Sequence, residues 1–328
     1  MIKPVQFLRK LQPPKKHSIS AQKLSGFTMI ELLVGTVIAF IIITPLMGLV
    51  LGLLNDDSKE SAKGTTEQEI QTALDYISED VSQAIYIYDK TGVTAINDAN
   101  GLPQLANKVP ILVFWKRKLE TEIIPPYKNA SCPTECDDTF VYSLVAYYLS
   151  TDNPNNTWSS AARIERWEIQ DGVKNPFPAD PANPDYLKDP DKGFKLFDLK
   201  ATVDTKSPNA LPAIQQQMNQ WQKGTDAYAQ SPVALMDYVD QSQGPSPSPT
   251  AVYCTTTVSS DAQLVNDASS NAKNSFYACV DTGKNLAKVF IRGNALARIE
   301  KNATYSSNKS LYFPVSNVQI QGISGLGQ

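Results

Sequence analysis

The chain is almost without histidine. Its one copy, His17, lies within the first 26 residues. If that stretch is removed, imidazole-dependent nucleophilic triads and histidine-bearing zinc sites are excluded. No Walker-type glycine loop and no G-x-G-x-x-G stretch occurs, so the usual phosphate cradles are missing as well. Acidic residues are absent from positions 1–26, which hold Lys3, Arg9, Lys10, Lys15, Lys16 and Lys23. Charge is nearly absent from 27–54, where Glu31 stands alone before Asn55, Asp56 and Asp57 close the run. Cysteine is scarce, four in 328 residues, and no internal repeat is visible.

What is present is first a long apolar stretch. Residues 27–54 exceed the roughly 20 apolar residues that cross a bilayer as a helix. A carboxylate in such a stretch needs a reason, because an acidic side chain at mid-bilayer costs about 2.5–3.5 kcal/mol on insertion scales. One reason is local: Thr28-x-x-Glu31 fits a capping box, in which hydroxyl and carboxylate satisfy free N–H groups at a helix start. Near the end of a span, Glu31 can also reach the headgroups. A secretory signal places small residues and its cleavage site after the apolar region. Here the small residue, Gly26, comes before it. The basic flank favours a cytoplasmic amino terminus with the remainder outside. Read instead as a nucleic-acid arm, residues 1–26 would be unusual in running directly into a span. Without their six cations, 24 basic residues face 33 acidic ones, a net charge near −9. That balance argues against binding nucleic acid through its phosphates. Pro45 is expected to loosen or kink the helix. Gly48-x-x-x-Gly52 and Gly35-x-x-x-Ala39 have a spacing that lets helices approach closely, a weak signal in an apolar run.

Beyond the run, 55–89 reads as an amphipathic helix. Ile70, Leu74, Ile77, Val81, Ala84 and Tyr88 form one stripe, with Glu69, Asp75, Glu79 and Asp80 on the remaining faces. Gly64 and the polar stretch 58–67 predict a bend. Strands are expected over 109–117 (VPILVFWKR), 140–149 (FVYSLVAYYL, covered on both sides) and 162–170 (ARIERWEIQ, partly solvated). A turn at 152–156 separates the last two. Helix first, then antiparallel sheet, is an α+β layout. Residues 171–250 read as a long, loop-rich surface excursion with one helix near 208–224 and a low-complexity stretch at 245–249. Strand-like pieces return at 251–258, 276–282, 286–292 and 311–320, joining the same sheet or forming a second small one.

Cys132, Cys136, Cys254 and Cys279 are even in number and suit an oxidising compartment. Of three possible connectivities, the sequence-near one pairs Cys132 with Cys136 and Cys254 with Cys279. A zinc site of four thiolates lacks a second pair of short spacing. The acidic stretches 180–185 and 189–193 offer oxygen ligands for a structural calcium, but neither has the EF-hand pattern and solvated turns account for them. Tyr147, Tyr148 and Trp158 suggest sugar stacking less than strand core. No catalytic constellation emerges, and no enzyme activity is expected.

Gly26, Phe27 and Glu31, between a basic leader and an apolar run, resemble the processing site of type IV pilins and type II secretion pseudopilins. The resemblance implies a pilin-like fold: a long N-terminal helix packed on an antiparallel sheet. It implies that a prepilin peptidase cuts between Gly26 and Phe27, that the amino group of Phe27 is methylated, and that Glu31, fifth in the mature chain, pairs with a neighbouring subunit's amino terminus. Glycine suits an extended protease cleft because it has no Cβ. On this resemblance 1–26 is a cleaved leader, long for a pilin. Residues 27–54 form a membrane and fibre-core helix, 55–89 an amphipathic helix, and 90–328 an exported head. The segments 67–89 (EQEIQTALDYISEDVSQAIYIYD), 109–117 and 292–300 (RGNALARIE) further resemble pseudopilins of hormogonium polysaccharide secretion in filamentous cyanobacteria, of their C type. More broadly they are similar to minor pilins of the PilW and GspJ kinds. This narrower likeness does not extend over 171–250. It implies a subunit that spans the inner membrane once, then enters a surface fibre serving polysaccharide export and gliding. Its partners would be other pilins and an inner-membrane assembly platform. Two alternatives stay open: a minor pilin priming a pilus for twitching or DNA uptake, and an exported enzyme or sensor on an uncleaved anchor.

Overall fold

The computed structural model describes residues 26–127, 136–153, 156–177, 185–207, 210–242, 251–265 and 275–323. Helix α1 (Met29–Ser82) is the first element among the described residues, and the structure divides into two units between Leu54 and Asn55. In the first unit the helix has no buried residue. In the second, the described residues form a mixed α+β fold with antiparallel sheets.

Within the second unit α1 buries Ala62, Thr66, Ile70, Ala73, Leu74, Ile77, Asp80 and Val81. The four-and-three stripe is real as far as Val81. Ala84 and Tyr88 do not continue it: the helix stops at Ser82, Ala84 belongs to strand β1 (Ala84–Ile87), and Tyr88 follows that strand. The run AIYI is branched and aromatic and suits extended backbone better than another helical turn. Helix α1 runs unbroken through Gly64. A glycine there costs about 1 kcal/mol in helix propensity, and burial of Ala62 and Thr66 on either side offsets it.

After α2 (Lys90–Asp98), capped by the Asp89 carboxylate on Gly92 N–H at 2.8 Å, come the long strands β2 (Lys108–Ile124) and β3 (Asp137–Ser150) and then β4 (Ala162–Gln170). With β7 (Val233–Val239) they form a five-stranded sheet in the order β1-β2-β3-β4-β7, each neighbouring pair antiparallel. One face meets α1 through Lys116, Tyr147 and Arg166, all bonded to Asp80. The other lies under the excursion: Trp115 meets Phe194, Phe197 and Trp221 edge-on, and Trp167 meets Tyr228. Residues 171–250 are thus more than a surface loop, supplying an edge strand and an aromatic cover. They also hold the short hairpin β5 (Val173–Lys174) and β6 (Tyr186–Lys188), and helix α3 (Ala213–Asn219), shorter than the expected 208–224. Pro212 sets its start, and Trp221 leaves the helix to enter the aromatic cluster, its indole donating to Lys195 C=O.

The second sheet has the order β11-β10-β9-β8, from β8 (Gln263–Val265), β9 (Phe276–Asp281), β10 (Leu286–Arg292) and β11 (Val315–Gln321). The strand expected at 251–258 is helix α4 (Ala251–Thr257) instead. Its β-branched sequence is overridden by a disulfide from Cys254 to Cys279 of β9, while Thr257 returns its hydroxyl to Tyr253 C=O. The piece expected at 311–320 starts late, because a 3-10 turn over 307–312 and then Pro314 precede β11.

Candidate functional site

The first turn of α1 gathers the residues singled out from the sequence. Phe27 is exposed just before the helix. Glu31 N–H donates to the Thr28 hydroxyl at 3.3 Å, while Thr28 N–H and hydroxyl reach the Glu31 carboxylate at 3.4 and 3.3 Å. This reciprocal arrangement is the capping box read from the sequence, satisfying donors a helix start leaves open. It also holds the carboxylate within one turn of Phe27, at the end of the helix where the macrodipole favours negative charge. Gly26 precedes these residues and is exposed, and among the described residues a Cβ built on it would meet no atom within 4 Å.

From that turn to Leu54, α1 leaves all its apolar side chains exposed. Among the described residues it is the one helix long and apolar enough to cross a membrane, as a membrane anchor or a signal sequence does. The polar side chains inside the run are internally satisfied: Thr36 donates to Leu33 C=O and Thr44 to Phe40 C=O, each at 2.8 Å. Pro45 sits within the helix, where its ring removes one N–H from the ladder. A Cβ on Gly35, Gly48 or Gly52 would meet nothing within 4 Å beyond the adjacent helix backbone, leaving open surface at these positions.

The cysteines divide as the sequence-near pairing has them for Cys254 and Cys279, bonded with Cα atoms 5.3 Å apart. Cys136 is disulfide-bonded, and Cys132 lies outside the described residues. Of the acidic stretches, 180–184 also lies outside them, whereas Asp191 uses its carboxylate to accept Gln170 N–H at 2.9 Å. No group of three or more metal-ligating side chains occurs among the described residues. Tyr147 and Tyr148 are core residues, and Trp158 stacks under the Arg163 guanidinium.

Sequence reasoning missed a buried ionic cluster that docks α1 on the sheet. Asp80, expected on a solvated face, is buried and accepts from Lys116 at 2.5 Å, Tyr147 at 2.7 Å and Arg166 at 2.7 Å. Burial alone would raise its pKa, but the Arg166 and Lys116 bonds and charges outweigh that and hold it below the usual carboxylate value. Glu168, bonded to Arg166 at 2.8 Å and Ser143 at 2.5 Å, is likewise held low despite burial. Glu69, also expected in solvent, pairs with Arg298, which donates to Thr66 as well. A signal was available: in β4, Ile164, Arg166 and Glu168 share the face that covers α1, and Asp80 stands three residues beyond Ile77. Compared with protein-family models, curated proteins and solved structures, the chain matches none.

Proposed function

We propose that this chain is a minor pseudopilin, a structural subunit of a type IV pilus-like or type II secretion-like fibre. The observation that carries the reading is one turn of helix: Gly26 and Phe27 exposed, Glu31 four positions on, and an unburied apolar helix behind them. In this reading a prepilin peptidase removes 1–26, Phe27 becomes the N-methylated terminus, and the helix waits in the bilayer until the assembly platform extracts it. Glu31 then trades its hydrogen bonds to Thr28 for a neighbour's terminal ammonium. A carboxylate in hydrocarbon gains more from a cationic partner than one in water does. The exported head stands outside, consistent with its oxidised Cys254 and Cys279. The likeness of 67–89, 109–117 and 292–300 to the hormogonium pseudopilins supports a fibre that serves polysaccharide secretion and gliding.

Amino-terminal mass spectrometry of the membrane-extracted protein tests this. Expected is a chain beginning at methylated Phe27 in cells with the peptidase, and at the full leader in cells without it. A start beyond Leu54, or a retained leader in peptidase-positive cells, would overturn the reading. Deleting the chain should stop polysaccharide export. Loss of twitching with export intact would assign it to pilus priming.

A further inference from the structure

The segment Glu300-Lys301-Asn302-Ala303-Thr304 is an N-x-Thr acceptor sequence with an acidic residue two positions before the asparagine. N-x-Ser/Thr marks a surface loop that can receive an N-linked glycan in an exported protein. Four such triplets occur, at Asn129, Asn155, Asn302 and Asn308. Only Asn302 has an acid at the −2 position; the others have Tyr127, Asn153 and Ser306 there. A carboxylate so placed gives an enzyme that binds the extended peptide a charged handle beside the acceptor amide.

Asn129 and Asn155 lie outside the described residues, and the structure separates the other two triplets further. Asn302 is exposed in a tight turn, with φ of 58°, a left-handed conformation that asparagine adopts more readily than most residues. Among the described residues its side-chain amide and the Thr304 hydroxyl make no hydrogen bond, so the attacking nitrogen and the recognised hydroxyl are both free. The turn is held by other atoms: Asn302 N–H reaches the Ser160 hydroxyl, Asn294 donates to Ala303 C=O at 2.7 Å, and Tyr305 N–H reaches the Ser242 hydroxyl. Glu300 is exposed, and its ion pair to Lys309 at 3.5 Å is a solvated one that is easily given up. Asn308 instead lies in a 3-10 turn and accepts from the Ser306 hydroxyl at 2.7 Å. Beside Asn302 is a recess of about 230 Å³ lined by Ser160, Gln241, Ser242, Asn294 and Thr304. Its hydroxyls and amides suit a first sugar ring.

We propose that Asn302 is an N-glycosylation site, modified outside the membrane by an oligosaccharyltransferase that uses an isoprenoid diphosphate-linked oligosaccharide. The Asn302 Nδ2 attacks the anomeric carbon of the donor and forms the C–N bond as the C–O bond to phosphate breaks. The isoprenoid diphosphate leaves, and the amide gives up one proton to a base of the transferase. The site rests on the exported placement of the head, not on fibre assembly.

The test uses the full chain, expressed in a bacterial host supplied with a transferase of acidic-acceptor specificity and its lipid-linked oligosaccharide. Mass spectrometry of the peptide bearing Asn302 should show one added glycan. Asn302→Gln should abolish it, Glu300→Gln should lower occupancy at least tenfold, and Asn308→Gln should leave it unchanged. Alkylation before and after reduction reports the pairing of Cys254 with Cys279, and hence export. An unmodified Asn302 in protein whose pair is oxidised overturns this proposal alone. An unmodified Asn302 with that pair reduced overturns the export on which both it and the fibre reading depend.

Discussion

At Asp80, burial and charge pull in opposite directions, and charge prevails. Its folded pKa is depressed, so its contribution is fully present above the unfolded value, about 3.9, and disappears as pH falls through the lower folded value. Removing one partner from a buried pair leaves the others uncompensated, at a cost on the order of 3–5 kcal/mol. Asp80→Asn is therefore expected to destabilise by about that much at pH 7, read by urea unfolding of the detergent-solubilised protein. The gap to wild type should close below pH 4; a gap that stays constant to pH 3 would mean the loss is one of packing. Asp89 behaves oppositely. Burial raises its pKa more than its bonds from Gly92 and Gln215 lower it, so its ionised form is disfavoured in the folded chain. Its contribution weakens as pH rises through that raised value. Asparagine caps helices nearly as well as aspartate, so Asp89→Asn should cost less than about 1 kcal/mol at pH 7 in the same measurement.

Elements were legible where a single period or composition governed them. Strands β4 and β10 run over the residues read from sequence, 162–170 and 286–292, because branched and aromatic residues fill them and turns bound them. The apolar run and its capping box were equally plain. Illegible elements depend on contacts far away in sequence. Helix α4 forms from a strand-like sequence tied by Cys254 to β9, and β7 is recruited as an edge from within a proline-rich excursion. Asp80 looked solvated because its partners Lys116 and Arg166 lie 36 and 86 residues away. The close approach of α1 to the end of β10 was hidden too. A Cβ on Gly293 would stand 2.5 Å from Thr66 Cγ2 and 3.0 Å from Ile70 Cδ1, so helix or strand would have to shift. Gly293→Val should then cost about 1–3 kcal/mol, as overpacking does, and lower the thermal midpoint. An unchanged midpoint would show that α1 has room to slide. Replacing Cys254 and Cys279 together by alanine opens a loop of 25 residues. About 2–4 kcal/mol should be lost under non-reducing conditions, with no further loss on adding reductant that is specific to this bond.

For the whole molecule the deciding contrast lies between a helix with no buried residue before Leu54 and a second unit with its own core. Fifteen Leu, Ile, Val and Phe residues stand between positions 32 and 54. At about −0.3 to −0.6 kcal/mol each on insertion scales, they favour the bilayer by roughly 5–9 kcal/mol. A carboxylate costs at most about 2.5–3.5 kcal/mol, and less near the end of a span, where Glu31 sits. Insertion therefore does not require neutralising Glu31, and whatever the carboxylate does for assembly is separable from it. Glu31→Gln, which keeps the side chain's shape, should leave retention in the membrane pellet after alkaline extraction unchanged within error. Deleting 27–54 should release the remainder as soluble protein with Cys254 and Cys279 reduced, because the segment that would carry them to an oxidising compartment is gone. If Glu31→Gln also loses fibre incorporation while retention holds, charge pairing between subunits is what the residue supplies. If retention falls with it, the carboxylate acts in the membrane helix itself, and the assembly role assigned to Glu31 fails.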